Sequence, residues 1–212
     1  MDSTKLDIVS KYTRASADRL AGFADALVDL DEAGVDGDVV ECGVWRGGHV
    51  ILARLVSPQR VCWLFDTFEG MTAPSSVDVK VSNKRSAIDS YRDKHSRGER
   101  WLAASIGEVR KNFEDTGTLD DSYLRFVVGD VRQVLYCCPL PDKIAMLRLD
   151  TDWYDSTKVE LEVLYPRLVP GGVLIVDDYG HWEGARRAVN EYFFGQAIKF
   201  EKIDYTAVKM VK

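Results

Sequence analysis

Two short apolar runs, each breaking on a pair of acids, constrain this chain more than any other feature. Ile144 to Leu149 ends on Asp150 and Asp152, and Val173 to Val176 ends on Asp177 and Asp178, with a helical pattern between them. A strand, a helix and a second strand form one parallel βαβ unit, so both strands point the same way. Both acidic pairs therefore emerge at the same carboxyl edge of a sheet. Four carboxylates brought together raise one another's pKa or require a cation, and a hard divalent ion such as Mg²⁺ answers that requirement. Aspartates at strand ends also serve as turn formers and helix caps, but two such pairs at one edge point to a metal site.

The remaining chain continues the alternation. Apolar residues recur at helical spacing from Lys11 to about Leu30, and Asp38–Cys42 reads as a first strand followed by a glycine turn and a helix from His49 to Val56. A second strand, Val61–Phe65, ends on Asp66. A third, Arg125–Val128, follows a helix over Ser105–Gly117 and ends at Gly129-Asp130-Val131. After the acidic unit come a helix over Glu183–Phe194 and two strands, Ala197–Ile203 and Thr206–Met210, joined by Asp204-Tyr205. This pattern predicts an α/β fold with a doubly wound, mostly parallel seven-stranded sheet and a terminal antiparallel hairpin, in one domain spanning 1–212. The polar stretch 72–101 interrupts the alternation, and a long irregular segment of that kind reads as a lid.

Net charge is −6, from 28 basic and 34 acidic residues, and the basic residues between Lys80 and Arg100 are interleaved with acids. Nothing tracks a phosphate backbone, so a nucleic-acid partner is not expected. The first residues have no apolar signal core and no run approaches membrane-spanning length, so no membrane partner and a cytoplasmic location are expected. Cys42, Cys62, Cys137 and Cys138 lack metal-site spacing and read as reduced residues, mostly in the core.

The first strand and its turn narrow the ligand. Gly43, Gly47 and Gly48 allow close backbone approach at a helix N-terminus, but GxxxGG is neither the dinucleotide nor the ATP phosphate-loop pattern. Glu41, immediately before the glycines, would repel a diphosphate and suits a ligand carrying an ammonium and a sulfonium. Asp66 stands where an acid accepts the hydroxyls of a ribose, and Asp130 where it meets the amine of adenine. Together these residues describe an S-adenosylmethionine site. Trp153 and Tyr154 are candidate stacking surfaces for a sugar, and His181 a candidate base or substrate contact. His49 and His95 receive no role.

The segments ECGVWRGG, LFDTFEGM, LRLDTDWYDST and GGVLIVDDYG resemble the macrocin O-methyltransferase family, metal-dependent enzymes that methylate sugar hydroxyls in antibiotic biosynthesis. The likeness runs from about Val39 to Phe194. It implies a class I methyltransferase (Rossmann-like) fold, S-adenosylmethionine and Mg²⁺ as cofactors, and a small-molecule glycoside as acceptor. Matched residue by residue, Asp150, Asp177 and Asp178 are the implied metal ligands and Asp152 the implied general base. The implied cofactor contacts are Glu41, Gly43, Trp45, Gly48, Asp66, Phe68, Gly70, Asp130 and Val131. The chain before the first strand is short for such a family, and 72–101 aligns with nothing in it. An acceptor that is a non-sugar vicinal diol or catechol remains an alternative, as do a metal-dependent hydrolase and a non-catalytic cofactor sensor. A homo-oligomer is possible on this reading, the first helix and terminal hairpin being the candidate contacts.

Overall fold

The computed structural model describes residues 3–212. Its centre is a seven-stranded sheet: β1 (Asp38–Cys42), β2 (Cys62–Asp66), β3 (Leu124–Val128), β4 (Ile144–Leu149), β5 (Leu168–Val176), β6 (Glu201–Lys202) and β7 (Val208–Val211). The spatial order is β3-β2-β1-β4-β5-β7-β6. The pairings from β3 through β5 are all parallel, whereas β7 runs antiparallel to β5 and β6 antiparallel to β7. The chain changes direction across the sheet between β1 and β4. In open α/β sheets the crevice at the carboxyl ends of such a pair is the usual ligand site.

Helices cover both faces. On one side α1 (Ser3–Val9), α2 (Ala17–Glu32), α3 (Gly48–Val56) and a later helix over Ile106–Asp115 bury Phe23, Leu27, Ile51 and Phe113 against the sheet. On the other, helices over Val131–Cys137, Tyr154–Leu164 and Glu183–Tyr192 bury Leu135, Leu161 and Val189. In chain order these last four, with the helix over Ala87–Ser96 that precedes them, are α4 (Ala87–Ser96), α5 (Ile106–Asp115), α6 (Val131–Cys137), α7 (Tyr154–Leu164) and α8 (Glu183–Tyr192). Being covered on both faces, β4 is buried at every position. Among the described residues no helix is long and apolar enough to cross a membrane.

Four local expectations are corrected. The helix expected over Lys11 to Leu30 starts only at Ala17, because Ser16 caps it by accepting the Arg19 N–H at 3.1 Å. A separate helix and a short 3-10 turn occupy Ser3–Tyr12. The hairpin strands are shorter than expected and shifted: Phe200 packs its ring on Phe193 and Tyr179, and Asp204 closes the connection by accepting the N–H groups of Thr206 and Ala207. A further helix, α6, follows β3 where the sequence pattern gives only a strand end; Asp130 caps it by accepting the Arg132 N–H at 2.9 Å. Finally, β5 begins at Leu168, five residues before the apolar run that announced it.

The stretch 72–101 contains α4 and is pinned to the sheet's carboxyl edge. Asp78, wholly buried, accepts the Tyr154 N–H at the start of α7 and both the N–H and hydroxyl of Ser75. Val79 accepts the Glu183 N–H at the start of α8, and Lys80 forms a bridge with Trp182. Cys42 and Cys62 are core residues; Cys137 is exposed and Cys138 partly so, and all four are free thiols.

Candidate active site

Two cavities open at the carboxyl edge of β1, β2, β4 and β5. The first is the narrower of the two. Gly43, Trp45, Asp66, Gly70, Asp130 and Val131, all expected to meet a cofactor, border it. Phe68, also expected there, borders neither cavity: its ring packs 6.0 Å from that of Phe126 and its N–H donates to Asp66. Glu41 and Gly48 border instead the second, wider cavity, together with Asp177, Asp178 and His181. Trp45, Asp150 and Asp152 border both.

Asp66 organises the first cavity. Its Oδ2 accepts the N–H groups of Val44 and Trp45 at 2.7 and 2.9 Å, and its Oδ1 accepts that of Phe68 at 2.8 Å. With two N–H groups on Oδ2 and one on Oδ1, it is Oδ1 that keeps acceptor capacity for a ligand hydroxyl. Trp45, Phe68, Leu102 and Asp152 all adopt left-handed backbone conformations, with φ of 47°, 54°, 51° and 68°. Such conformations in non-glycine residues are costly and gather where a site over-determines the backbone. Gly43 has a different reason to be glycine than ligand approach alone. With φ at +85°, a Cβ there would lie 2.0 Å from the carbonyl oxygen of Asp150. Asp130 carries a strong intramolecular partner: the Arg132 guanidinium, 2.5 Å away, and the Arg132 N–H outweigh the effect of burial and hold its carboxyl below the ordinary range.

Asp150 and Asp152, with Trp45 and Leu102, separate the cavities, and Asp177 and Asp178 extend the acidic cluster along the second. Oxygens of Asp150, Asp177 and Asp178 come within 4.8 Å of one another. Burial, reinforced by Asp152 and Asp177, pushes the Asp178 carboxyl well up, and its Oδ2 is buried without a hydrogen-bond partner. Burial likewise pushes Asp150 up, against the pull of Arg148. An orphaned oxygen among crowded carboxyls is the donor set of a hard divalent cation, so these three residues fit Mg²⁺. Asp152, beside them, accepts the Trp182 indole N–H at 3.0 Å, and burial together with the charges of Asp150 and Asp177 raises its pKa to about 7. A carboxyl poised there can take a proton near neutral pH.

Sequence reasoning passed over Arg148 and Arg19. Arg148 sits inside the apolar run of β4, 2% exposed; Nη1 donates to Glu41 Oε1 at 2.5 Å and approaches Asp150 Oδ2 at 2.9 Å, while Nη2 donates to Asp177 Oδ1 at 2.5 Å. A cation in the middle of an otherwise apolar strand was the available signal, because it cannot be buried without partners. Arg19, from α2, donates to the other oxygen of Asp177. Glu41 is thus paired, and its pKa is raised to about 7 chiefly by burial. His49 lies beside it, Nδ1 3.6 Å from Glu41 Oε1, with burial holding the imidazole well below its ordinary pKa and so neutral.

Of the other candidates, His181 faces the second cavity and its Nδ1 lies 3.3 Å from the Tyr205 hydroxyl. Trp153 is buried, its indole N–H donating to the Thr72 carbonyl. Tyr154 points to α8, where its hydroxyl donates to Glu191 at 2.6 Å. Trp182 and Trp101, with Trp45, Tyr12 and Tyr205, are among the aromatic residues that line the second cavity.

The profile of the macrocin-O-methyltransferase (TylF) family matches residues 7–212. The chain is 40% identical to the 8-demethyl-8-(2,3-dimethoxy-alpha-L-rhamnosyl)-tetracenomycin-C 4'-O-methyltransferase of Streptomyces olivaceus, over 93% of this chain and 74% of that one. It is 37% identical to the mycinamicin III 3''-O-methyltransferase of Micromonospora griseorubida, over 85% of this chain and 70% of that one. The solved O-methyltransferase NovP superposes with a TM-score of 0.80 at 35% identity, covering 95% of this chain and 82% of that structure. An O-methyltransferase of Bacillus cereus in complex with SAH shares the fold at 14% identity and a TM-score of 0.58. The chain belongs to the macrocin-O-methyltransferase family and is an O-methyltransferase with the class I methyltransferase fold.

Proposed function

We propose that the enzyme transfers the methyl group of S-adenosylmethionine to a hydroxyl of a sugar, a deoxysugar on a glycosylated natural product, with Mg²⁺ held by Asp150, Asp177 and Asp178. The observation that carries this reading is the adjacency of the two cavities across one acidic wall, with Asp152 bordering both. Relatives that methylate a rhamnosyl tetracenomycin and mycinamicin III support a sugar hydroxyl as acceptor.

On this reading Asp66 takes the ribose at the first cavity and the turn after β1 takes the rest of the donor; the position of Asp66 at the cavity's edge supports it. The acceptor enters the second cavity, where Trp101 offers an aromatic face and His181 a polar edge. The acceptor oxygen attacks the methyl carbon in line with sulfur; the O–CH₃ bond forms as the S–CH₃ bond breaks, and its electron pair returns to sulfur. Asp152 takes the hydroxyl proton, its carboxyl near neutral pKa and its orientation fixed by the Trp182 N–H. Bound at the three aspartates, a divalent ion supplies charge that acidifies and orients the acceptor hydroxyl. Orientation alone contributes up to about 7–11 kcal/mol in well-aligned reactions.

The experiment is methyl transfer from labelled S-adenosylmethionine across a panel of deoxysugar glycosides and catechols, with and without chelator. The proposal expects methylated glycoside, lost on chelation and restored by Mg²⁺. Transfer to catechol alone overturns the sugar, and transfer indifferent to chelator overturns the metal.

A further inference from the structure

Arg19 reaches the acidic wall from α2, and its guanidinium divides between two acids. Among the described residues it makes four hydrogen bonds. Nη1 donates to Asp177 Oδ2; Nε and Nη2 donate to Asp204 Oδ2 at 3.0 and 2.7 Å, and Nη2 to the Thr206 hydroxyl at 2.5 Å. Asp204 is a rigid seat. Its Oδ1 accepts the N–H groups of Thr206 and Ala207, both at 2.9 Å, and Ser16 donates to its Oδ2 at 2.8 Å. Although burial opposes it, these donors hold the Asp204 carboxyl well below the ordinary range, so the seat stays anionic.

Asp177 is occupied on both oxygens, by Arg148 on Oδ1 and by Arg19 on Oδ2. Yet it is one of the three acids whose oxygens converge for an ion. A divalent cation at that cluster competes with a guanidinium for the same carboxylate, and like charges so close repel. Arg148 cannot yield, because it is buried and holds Glu41 and Asp150 as well. Arg19 can. Losing Asp177 leaves it three of its four hydrogen bonds, all on Asp204 and Thr206.

We propose that Arg19 is the exchangeable counter-cation of the metal site: it neutralises Asp177 in the ion-free enzyme and releases that carboxylate to the incoming ion, retained by Asp204 and Thr206. This rests on the metal reading given under the proposed function. Ion loading is then linked to the packing of α2 on the connection between β6 and β7.

The test is calorimetric titration of the full chain with Mn²⁺ alone, for wild type, R19Q, R19K, D204N and the R19Q/D204N double variant, with folding checked by circular dichroism. Removing the competing charge in R19Q tightens Mn²⁺ binding about tenfold. R19K tightens it in the same direction, because one ammonium on Asp204 cannot span to Asp177. D204N takes away the seat, leaves Arg19 on Asp177 and weakens binding about threefold. The double variant binds like R19Q. A residue that merely props up the fold would not give opposite signs in R19Q and D204N with R19Q dominant. Mn²⁺ bound with unchanged or weaker affinity in both R19Q and R19K overturns the proposal and leaves the metal site standing. No Mn²⁺ binding in wild type or any variant overturns the metal reading and this inference with it.

Discussion

Arg148 on β4 and Asp177, the residue that follows the neighbouring β5, meet at 2.5 Å, Nη2 to Oδ1, where neither side chain is more than 4% exposed. The same guanidinium holds Glu41 and Asp150, so one cation ties three strand ends together. Arg148→Met should lower stability by about 3–5 kcal/mol, the cost of leaving buried charges without a partner. Chemical denaturation in chelator measures it. The loss should shrink in saturating Mg²⁺, which substitutes part of the missing charge. A variant as stable as wild type in chelator would show that the three carboxyls do not depend on Arg148.

Asp66 fixes the turn after β1 through three backbone N–H groups, so its replacement acts on the turn as well as on any ribose. Asp66→Ala should weaken S-adenosylhomocysteine binding by about 10- to 150-fold, corresponding to hydrogen bonds with a charged acceptor. Calorimetric titration checks this. An affinity equal to wild type removes Asp66 from donor binding.

Gly43 permits β1 and β4 to converge, since a Cβ at that position would overlap the Asp150 carbonyl. Gly43→Ala should push the Asp150 loop aside and cost both stability and ion binding, while a Gly117→Ala control, where a Cβ meets nothing within 4 Å, should leave ion binding alone. Both residues have positive φ, so backbone strain is common to the two and the difference between them isolates the clash. Equal Mn²⁺ affinity in the two variants would show that the convergence of β1 and β4 is not what positions Asp150.

Much of this architecture was legible because parallel strands buried on both faces are read as apolar runs. Ile144–Leu149 and Val173–Val176 announced β4 and β5, and the acids after them announced the functional edge. Glu41, Asp66 and Asp150 fell at strand ends for the same reason. What stayed hidden depends on contacts between residues far apart in sequence. Arg19 and Asp204 are 185 positions apart, and no periodicity links them. The short β6 pairs only through Glu201 and Lys202, because Ile198 and Phe200 are drawn into aromatic and aliphatic packing instead of the ladder. The stretch 72–101 reads as irregular since its order comes from one buried acid, Asp78, rather than from an amphipathic pattern.

Glu160 gives a prediction in pH. It lies wholly buried on α7, one oxygen accepting the Thr151 hydroxyl at 2.8 Å and the other without a partner, and burial raises its pKa from 4.5 to about 8. A carboxyl raised on folding stays neutral in the native protein while the unfolded chain ionises, so the native state loses ground as pH climbs from 4.5 to about 8 and no further above that. Glu160→Gln keeps an acceptor for Thr151 and removes the titration. Thermal melts should therefore show the variant and wild type close together at pH 5, the variant gaining steadily through neutrality, and a constant gap above about pH 8. A gap that is the same at every pH, or that favours wild type as pH rises, would mean that Glu160 is ionised in the native protein and that another group stabilises its charge.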